Sequence, residues 1–283
     1  MGLRFLVVEG NTREAREGHE AAWGLTPSAS YGEVLRGIAP CTCDIVFPAD
    51  EGGGLPNGGL SDYDAVFLTG SALHLWRGGP EVERQVALMR AVYAAGVPAF
   101  GSCWGLQVGA VAAGGAVRPN PRGREVGFAR NIAPNTAGRA HPLLEGRPAA
   151  FAAPAVHLDA VAVPPPGCTV LAANPVSDIQ AAEIRSGEGV MWGVQYHPEF
   201  SLPELAVILR RIAGLMVDEG FCRTREEAEA YAGEVAALEG GRADLAWRHG
   251  VDAEVLDPVR RTREIRNFVE TLVGPRKSAR GRA

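Results

Sequence analysis

Residues 98–107 read Pro98-Ala99-Phe100-Gly101-Ser102-Cys103-Trp104-Gly105-Leu106-Gln107, and no other stretch restricts the fold as much. A short apolar strand runs into a reactive side chain at a turn, and a helix starts at once. Glycines stand two positions either side of the cysteine. This is a nucleophile-elbow arrangement with cysteine in the place of serine. The turn is strained, and side chains at Gly101 and Gly105 would collide with neighbouring backbone. The elbow projects Cys103 at the carboxyl edge of a sheet, where open α/β sheets bind ligands. The helix N-terminus favours the thiolate, the species that attacks. A cysteine between glycines also reads as a buried structural thiol; the strand-turn-helix context argues for the reactive one.

The rest of the chain supplies a sheet for this elbow. Apolar runs at 3–9, 43–47 and 65–69 predict strands. Pro80 opens a helix with Val82, Val86, Met89 and Val92 at helical spacing. A polar segment containing Pro27 is expected between the first strand and a short helix over 31–38, and a glycine-rich loop over 51–59. Strands alternating with helices imply an α/β fold whose mostly parallel sheet is covered on both faces. From Gly127 short β candidates follow at 127–132, 169–173, 181–185 and 190–194, and a helix over 202–217 closes the unit. Beyond Gly220 the sequence turns charged and alanine-rich, with helices expected over 225–238 and 258–272. The expected division is a catalytic domain at 1–217, a helical extension at 218–273 and a disordered tail at 274–283.

Composition removes several functions. At 283 residues the chain can hold one large core with an appendage, or two modest domains. A net charge of −5 gives no electrostatic case for nucleic acid or an anionic membrane. The only lysine is Lys277, so neither a phosphate-binding P-loop nor a pyridoxal Schiff base has its residue, and no cofactor is expected. Residues 91–117 hold no charge, but Pro98 and the glycines after it make a buried strand-turn-helix a better reading than a membrane span. Five scattered cysteines and no opening signal peptide lead us to expect a reduced, cytoplasmic setting. Cys41-Thr42-Cys43 has no second ligand pair, so it reads as two ordinary thiols with no metal.

A thiolate nucleophile needs a base that later protonates the leaving amine, which histidine does near neutral pH. Of six histidines, His197 follows the apolar run 190–194 and precedes Pro198-Glu199. Glu199 can reach the other ring nitrogen and fix its tautomer. Gly70-Ser71, ending the neighbouring strand, and Trp104, just after the nucleophile, offer backbone amides for an oxyanion. A plain turn is the other reading of Gly70-Ser71.

Gly101-Ser102-Cys103-Trp104-Gly105-Leu106-Gln107 and Gly193-Val194-Gln195-Tyr196-His197-Pro198-Glu199 together resemble class I glutamine amidotransferases. Gly123-Arg124-Glu125-Val126-Gly127-Phe128-Ala129 and His157-Leu158-Asp159-Ala160-Val161 are similar to segments of the amidotransferase domain of GMP synthetase. The resemblance covers roughly 3–217. It implies an open, flavodoxin-like α/β fold, attack of cysteine on the side-chain amide of glutamine, and contact between Gln107 and the glutamyl moiety. Val156 and the segment 70–76 depart from the family pattern, and both border the glutamyl pocket. Two enzymes fit: a glutaminase delivering ammonia to a separate synthetase partner, or a stand-alone hydrolase of γ-glutamyl amines or peptides. A silent regulatory module would be expected to have lost Cys103, His197 or Glu199.

Overall fold

The computed structural model describes residues 2–54 and 59–276. Part of the expected glycine-rich loop, 55–58, and part of the expected tail, 277–283, lie outside the described residues. The chain opens with β1 (Leu3–Val8), α1 (Arg13–Trp23), α2 (Pro27–Ile38), β2 (Cys41–Val46) and β3 (Ala65–Leu68). α3 (Pro80–Ala94), β4 (Ala99–Ser102) and α4 (Trp104–Ala112) complete the elbow region. Next come β5 (Ala116–Pro119), β6 (Glu125–Pro134), α5 (Thr136–Ala140), β7 (Phe151–His157) and β8 (Asp159–Val163). β9 (Cys168–Ala173), β10 (Ala181–Ser186) and β11 (Gly189–Val194) lead into the helices. These are α6 (Leu202–Arg211), α7 (Ala213–Asp218), α8 (Arg225–Leu238), α9 (Ala243–His249), α10 (Ala253–Leu256), α11 (Pro258–Arg261) and α12 (Arg263–Asn267). A π-helical turn, Phe268–Val273, follows, and 274–276 are helical.

Nine strands form one sheet in the order β2-β1-β3-β4-β11-β10-β9-β6-β7. The first five are parallel to one another, and the pairings from β11 to β7 are antiparallel. The parallel strands have unbroken apolar runs because both faces are covered: Phe5, Leu6, Val7 and Val8 are at most 1% exposed. Phe5, Phe67 and Phe100 belong to the core on one face, while Leu6, Val66 and Met89 belong to that on the other. No helix among the described residues is long and apolar enough to cross a membrane.

The polar segment expected before Pro27 is in fact helical. Thr12 caps α1 by accepting from Ala15 N–H, Gly24 ends it at φ 96°, and Thr26 with Pro27 starts α2 at once. The buried residues of α1 are Arg16 and His19. Arg16 forms a two-pronged pair with Asp50 at 2.9 and 2.5 Å and stacks over the Phe47 ring. Cys41 and Cys43 lie on β2 with sulfurs 3.9 Å apart, and burial pushes the Cys43 thiol up to about 12, so it stays protonated.

The helices after Val217 share cores with the sheet. α6 and α8 pack together in one cluster, with Leu205, Leu209, Ala228 and Val235 buried between them. Phe268 contacts Phe67, Phe100 and Trp192, with ring centroids 5.5, 5.5 and 5.8 Å away. Beside it, Arg147 is buried against Glu264 and Glu254, each at 2.7 Å. The Tyr196 hydroxyl donates to Glu264 Oε1 at 2.8 Å. Burial and the Glu264 charge push the Tyr196 phenol well above its ordinary value.

Candidate active site

Four neighbouring parallel strands end at one edge of the sheet, and the turn after each carries site residues. Glu9-Gly10-Asn11 follows β1, Thr69-Gly70-Ser71 follows β3, Cys103 follows β4, and Gln195-Tyr196-His197 follows β11. Leu68 lies opposite Gly101 and Val194 opposite Ser102, so the two outer turns flank the cysteine.

Cys103 has φ 52° and ψ −104°, a positive-φ conformation that a residue with a side chain adopts only under constraint. The constraint is visible on both sides. A Cβ on Gly101 would lie 2.4 Å from Met191 Cε and 2.5 Å from the Gly105 carbonyl carbon. One on Gly105 would lie 2.6 Å from the Leu68 carbonyl oxygen. The Cys103 N–H donates to Val194 O at 2.7 Å, tying the elbow to the strand that leads to His197.

His197 and Glu199 are buried, with His197 Nδ1 2.8 Å from Glu199 Oε1. Cys103 and His197 line the same cavity. Phe200 stacks on the ring at 4.0 Å and 7°, and the His197 N–H donates to Pro154 O at 2.8 Å. Burial alone would pull the imidazole down. The influence of the Glu199 carboxylate, and after it that of Cys103, outweighs burial and pushes it up from 6.5 to about 10. A histidine held this way keeps its proton at neutral pH, where a departing amine needs an acid. The stability gained is complete below pH 6.5 and is lost as pH rises through about 10. The alkaline limb of kcat/KM is therefore expected near pH 10. Glu199→Gln removes the leading upward influence and should move that limb to lower pH; an unmoved limb in the pH–rate profile would contradict the coupling.

The residues expected to form the oxyanion site converge. A Cβ on Gly10 would meet Gly70 O at 2.8 Å, Trp104 Cδ1 at 2.9 Å and Ser71 Cβ at 3.1 Å. Ser71 N–H has no hydrogen-bond partner among the described residues. Trp104 N–H opens α4, where the helix supplies no acceptor. Sequence reading passed over Asn11, which accepts from Ala72 N–H at 3.0 Å and donates to Glu9 Oε1 at 2.9 Å. Asn11 thus holds the 70–72 turn against the end of β1. Its position directly after an apolar strand was the available signal.

Gln107 is 2% exposed, and its side-chain amide donates to Asp159 O at 2.9 Å and Gln195 Oε1 at 3.2 Å. The Asp159 carboxylate is 2.8 Å from His74 Nδ1 and accepts from Trp76 Nε1 at 3.2 Å. His157 supports this loop from behind, its ring nitrogens 3.1 Å from Asp159 O and 2.9 Å from Glu125 Oε2. The link from His74 and Trp76 to Asp159 spans more than eighty residues and has no local sequence signal. A cavity of about 450 Å³ is lined by Cys103, Gly70, Ser71, Gln107, His197 and Glu199, among others. Among the described residues no group of three or more His, Cys, Asp or Glu side chains is arranged to hold a metal ion.

Known proteins share this arrangement of the chain. Residues 46–212 match the family described as glutamine amidotransferase class-I. A γ-glutamyl-L-1-hydroxyisopropylamide hydrolase from a Pseudomonas species is 34% identical over 281 residues, covering 96% of this chain and 94% of that protein. A GMP synthase from Leifsonia xyli is 32% identical over 190 residues, but the chain spans only 36% of its length. One subunit of the glutamine-hydrolysing GMP synthase from Methanoculleus marisnigri is 36% identical over 124 residues, 44% of this chain and 63% of that one. A glutamine amidotransferase structure from Thermotoga maritima superposes with a TM-score of 0.62 at 14% identity, covering 96% of this chain and 98% of that one. One from Methylobacillus flagellatus gives 0.58 at 19%, covering 94% and 92%. At such identities the likeness establishes the fold alone. With the family match and the near-full-length relative together, this chain belongs to the class I glutamine amidotransferase family.

Proposed function

We propose that the protein is a self-sufficient hydrolase of γ-glutamyl amides whose leaving amine is larger than ammonia. The observation that carries this reading is the extent of the Pseudomonas hydrolase match. It runs through the C-terminal helices, whereas the GMP synthase matches stop short of much of the chain. In this reading residues 1–217 carry the chemistry and 218–273 brace it.

Cys103 Sγ attacks the γ-carbonyl carbon, and the oxyanion is held by backbone N–H groups of the Gly70-Ser71 turn and Trp104. Imidazolium His197 gives its proton to the departing nitrogen as the C–N bond breaks, leaving a glutamyl thioester. Water then enters, His197 takes its proton, and hydroxide attack breaks the C–S bond to release glutamate and the thiolate. Glu199 holds the imidazole through Nδ1 in both half-reactions. Gln107 and the Asp159 loop border the glutamyl end of the cavity. The five free cysteines suit a reducing compartment, and we place the protein in the cytoplasm on that ground.

A second reading is favoured by the Methanoculleus GMP synthase relative: glutamine as substrate, with ammonia passed to a partner synthetase. Glutamate release from glutamine and from γ-glutamyl alkylamides separates the two. The expected result is a kcat/KM at least tenfold higher on an alkylamide than on glutamine. A preference for glutamine, or turnover that appears only with a synthetase added, would favour the second reading.

A further inference from the structure

The apolar face that α3 lays on the sheet carries one amide. Val82, Val86, Met89 and Val92 are buried there at helical spacing, and among them Gln85 is 1% exposed. A polar side chain in such a place is tolerated only when its groups are paired. Gln85 pairs both ends of its amide. Oε1 accepts from the Trp104 indole Nε1–H at 2.7 Å, and Nε2 donates to Gly10 O at 3.0 Å. It does not line the cavity, so it touches no reacting atom.

Gly10 carries the connection onward. Its N–H donates to Thr69 Oγ1 at 2.9 Å, and that hydroxyl donates to Gly70 O at 2.9 Å. One line of hydrogen bonds therefore runs from Trp104 through Gln85, Gly10 and Thr69 to Gly70. It crosses from α4 to α3, then to the end of β1, then to the end of β3. Its two ends are the two turns to which we assign the oxyanion.

We propose that Gln85 is a positioning residue for the reaction: it sets the spacing between the two backbone N–H groups that hold the oxyanion. The proposal rests on that oxyanion assignment and is indifferent to which amine leaves. Oxyanion donors work because they stand in place before charge develops, and a misplacement of about 1 Å can cost about a hundredfold in rate. Trp104 supplies one donor from its own backbone, so anchoring its indole fixes the orientation of the first turn of α4. Cys103, just before it, holds a positive φ of 52°, so the turn has no relaxed conformation to fall back on. The other donor belongs to the turn that Thr69 and Gly10 hold. Only an amide serves between them, because it accepts from the indole and donates to the carbonyl at once. A carboxylate there would face Gly10 O with no proton to give, and an aliphatic chain would leave both partners unpaired.

The test uses the full chain with Gln85→Met, which keeps the length of the side chain and removes both hydrogen-bonding groups. On the γ-glutamyl amide that the wild type turns over fastest, kcat should fall roughly 10- to 100-fold while KM stays within about threefold. Alkylation of Cys103 by iodoacetamide, followed by mass spectrometry, needs the thiolate but no oxyanion donor, and its rate should stay within about threefold of wild type. Trp104→Phe removes the indole N–H at the end of the line, and the double variant should be no more than about threefold slower than Gln85→Met alone, because both changes break one connection. An unchanged kcat, a loss carried by KM, alkylation slowed in step with turnover, or losses that multiply in the double variant would each overturn the positioning role and leave the Cys103 chemistry standing. Wild-type turnover that survives complete alkylation of Cys103 would overturn that chemistry instead. If Gln85→Met fails to fold, Trp104→Phe carries the comparison of turnover with alkylation; failure of both to fold would make the line a structural brace and overturn the proposal.

Discussion

Cys103→Ala should lower kcat on every γ-glutamyl amide by about 10⁵-fold or more, because no other group at the elbow can form the thioester. The loss should fall on kcat rather than KM, since the cavity and the Gly70-Ser71 turn stay in place. A residual rate above the uncatalysed one is expected, as oxyanion donors and substrate positioning survive loss of a nucleophile. Steady-state glutamate release measures the loss. Mass spectrometry of quenched reactions adds an independent readout: a glutamyl adduct on Cys103 in the wild type and none in the variant. A variant that keeps more than about a thousandth of wild-type kcat would overturn the covalent mechanism, whichever substrate is used.

The second large effect concerns stability. Glu264 is fully buried, accepts from Arg147 at 2.7 Å through both oxygens, and also accepts the Tyr196 hydroxyl. The Arg147 side chain is 0% exposed, and the Glu264 and Glu254 carboxylates hold its charge there despite burial. Glu264→Ala leaves the buried Arg147 with Glu254 as its one carboxylate and takes the acceptor from the Tyr196 hydroxyl, and breaking a buried pair this way costs about 3–5 kcal/mol. The midpoint of denaturant unfolding should fall accordingly. Activity should fall too, because Tyr196 directly precedes His197. A shift below about 1 kcal/mol would show that the extension is held by apolar packing alone.

The parallel half of the sheet could be read from the sequence for a simple reason. Its strands are buried on both faces, so Leu3–Val8, Ala65–Leu68 and Gly189–Val194 are apolar runs that pattern reasoning detects. The elbow and the His197-Glu199 pair were legible because their spacing is local. α1 was not, because the side it buries carries Arg16 and His19, whose partners Asp50 and Glu204 lie far away in sequence. β7 was hidden by Pro154, which a central strand would exclude; β7 is the last strand of the sheet, where a missing N–H does no harm. The helix expected over 202–217 breaks at Ile212. The one expected over 258–272 is a series of short turns, with Thr262 Oγ1 donating back to Pro258 O at 2.8 Å.

The bond from Tyr196 to Glu264 joins residues 68 positions apart. A ribosome adding about 5–20 residues per second therefore needs on the order of 3–14 s to make the second after the first. For nearly all of that interval the nascent chain contains Cys103, His197 and Glu199 but lacks the brace behind them. The Glu264 brace is thus the later-made half of a contact whose other half adjoins His197.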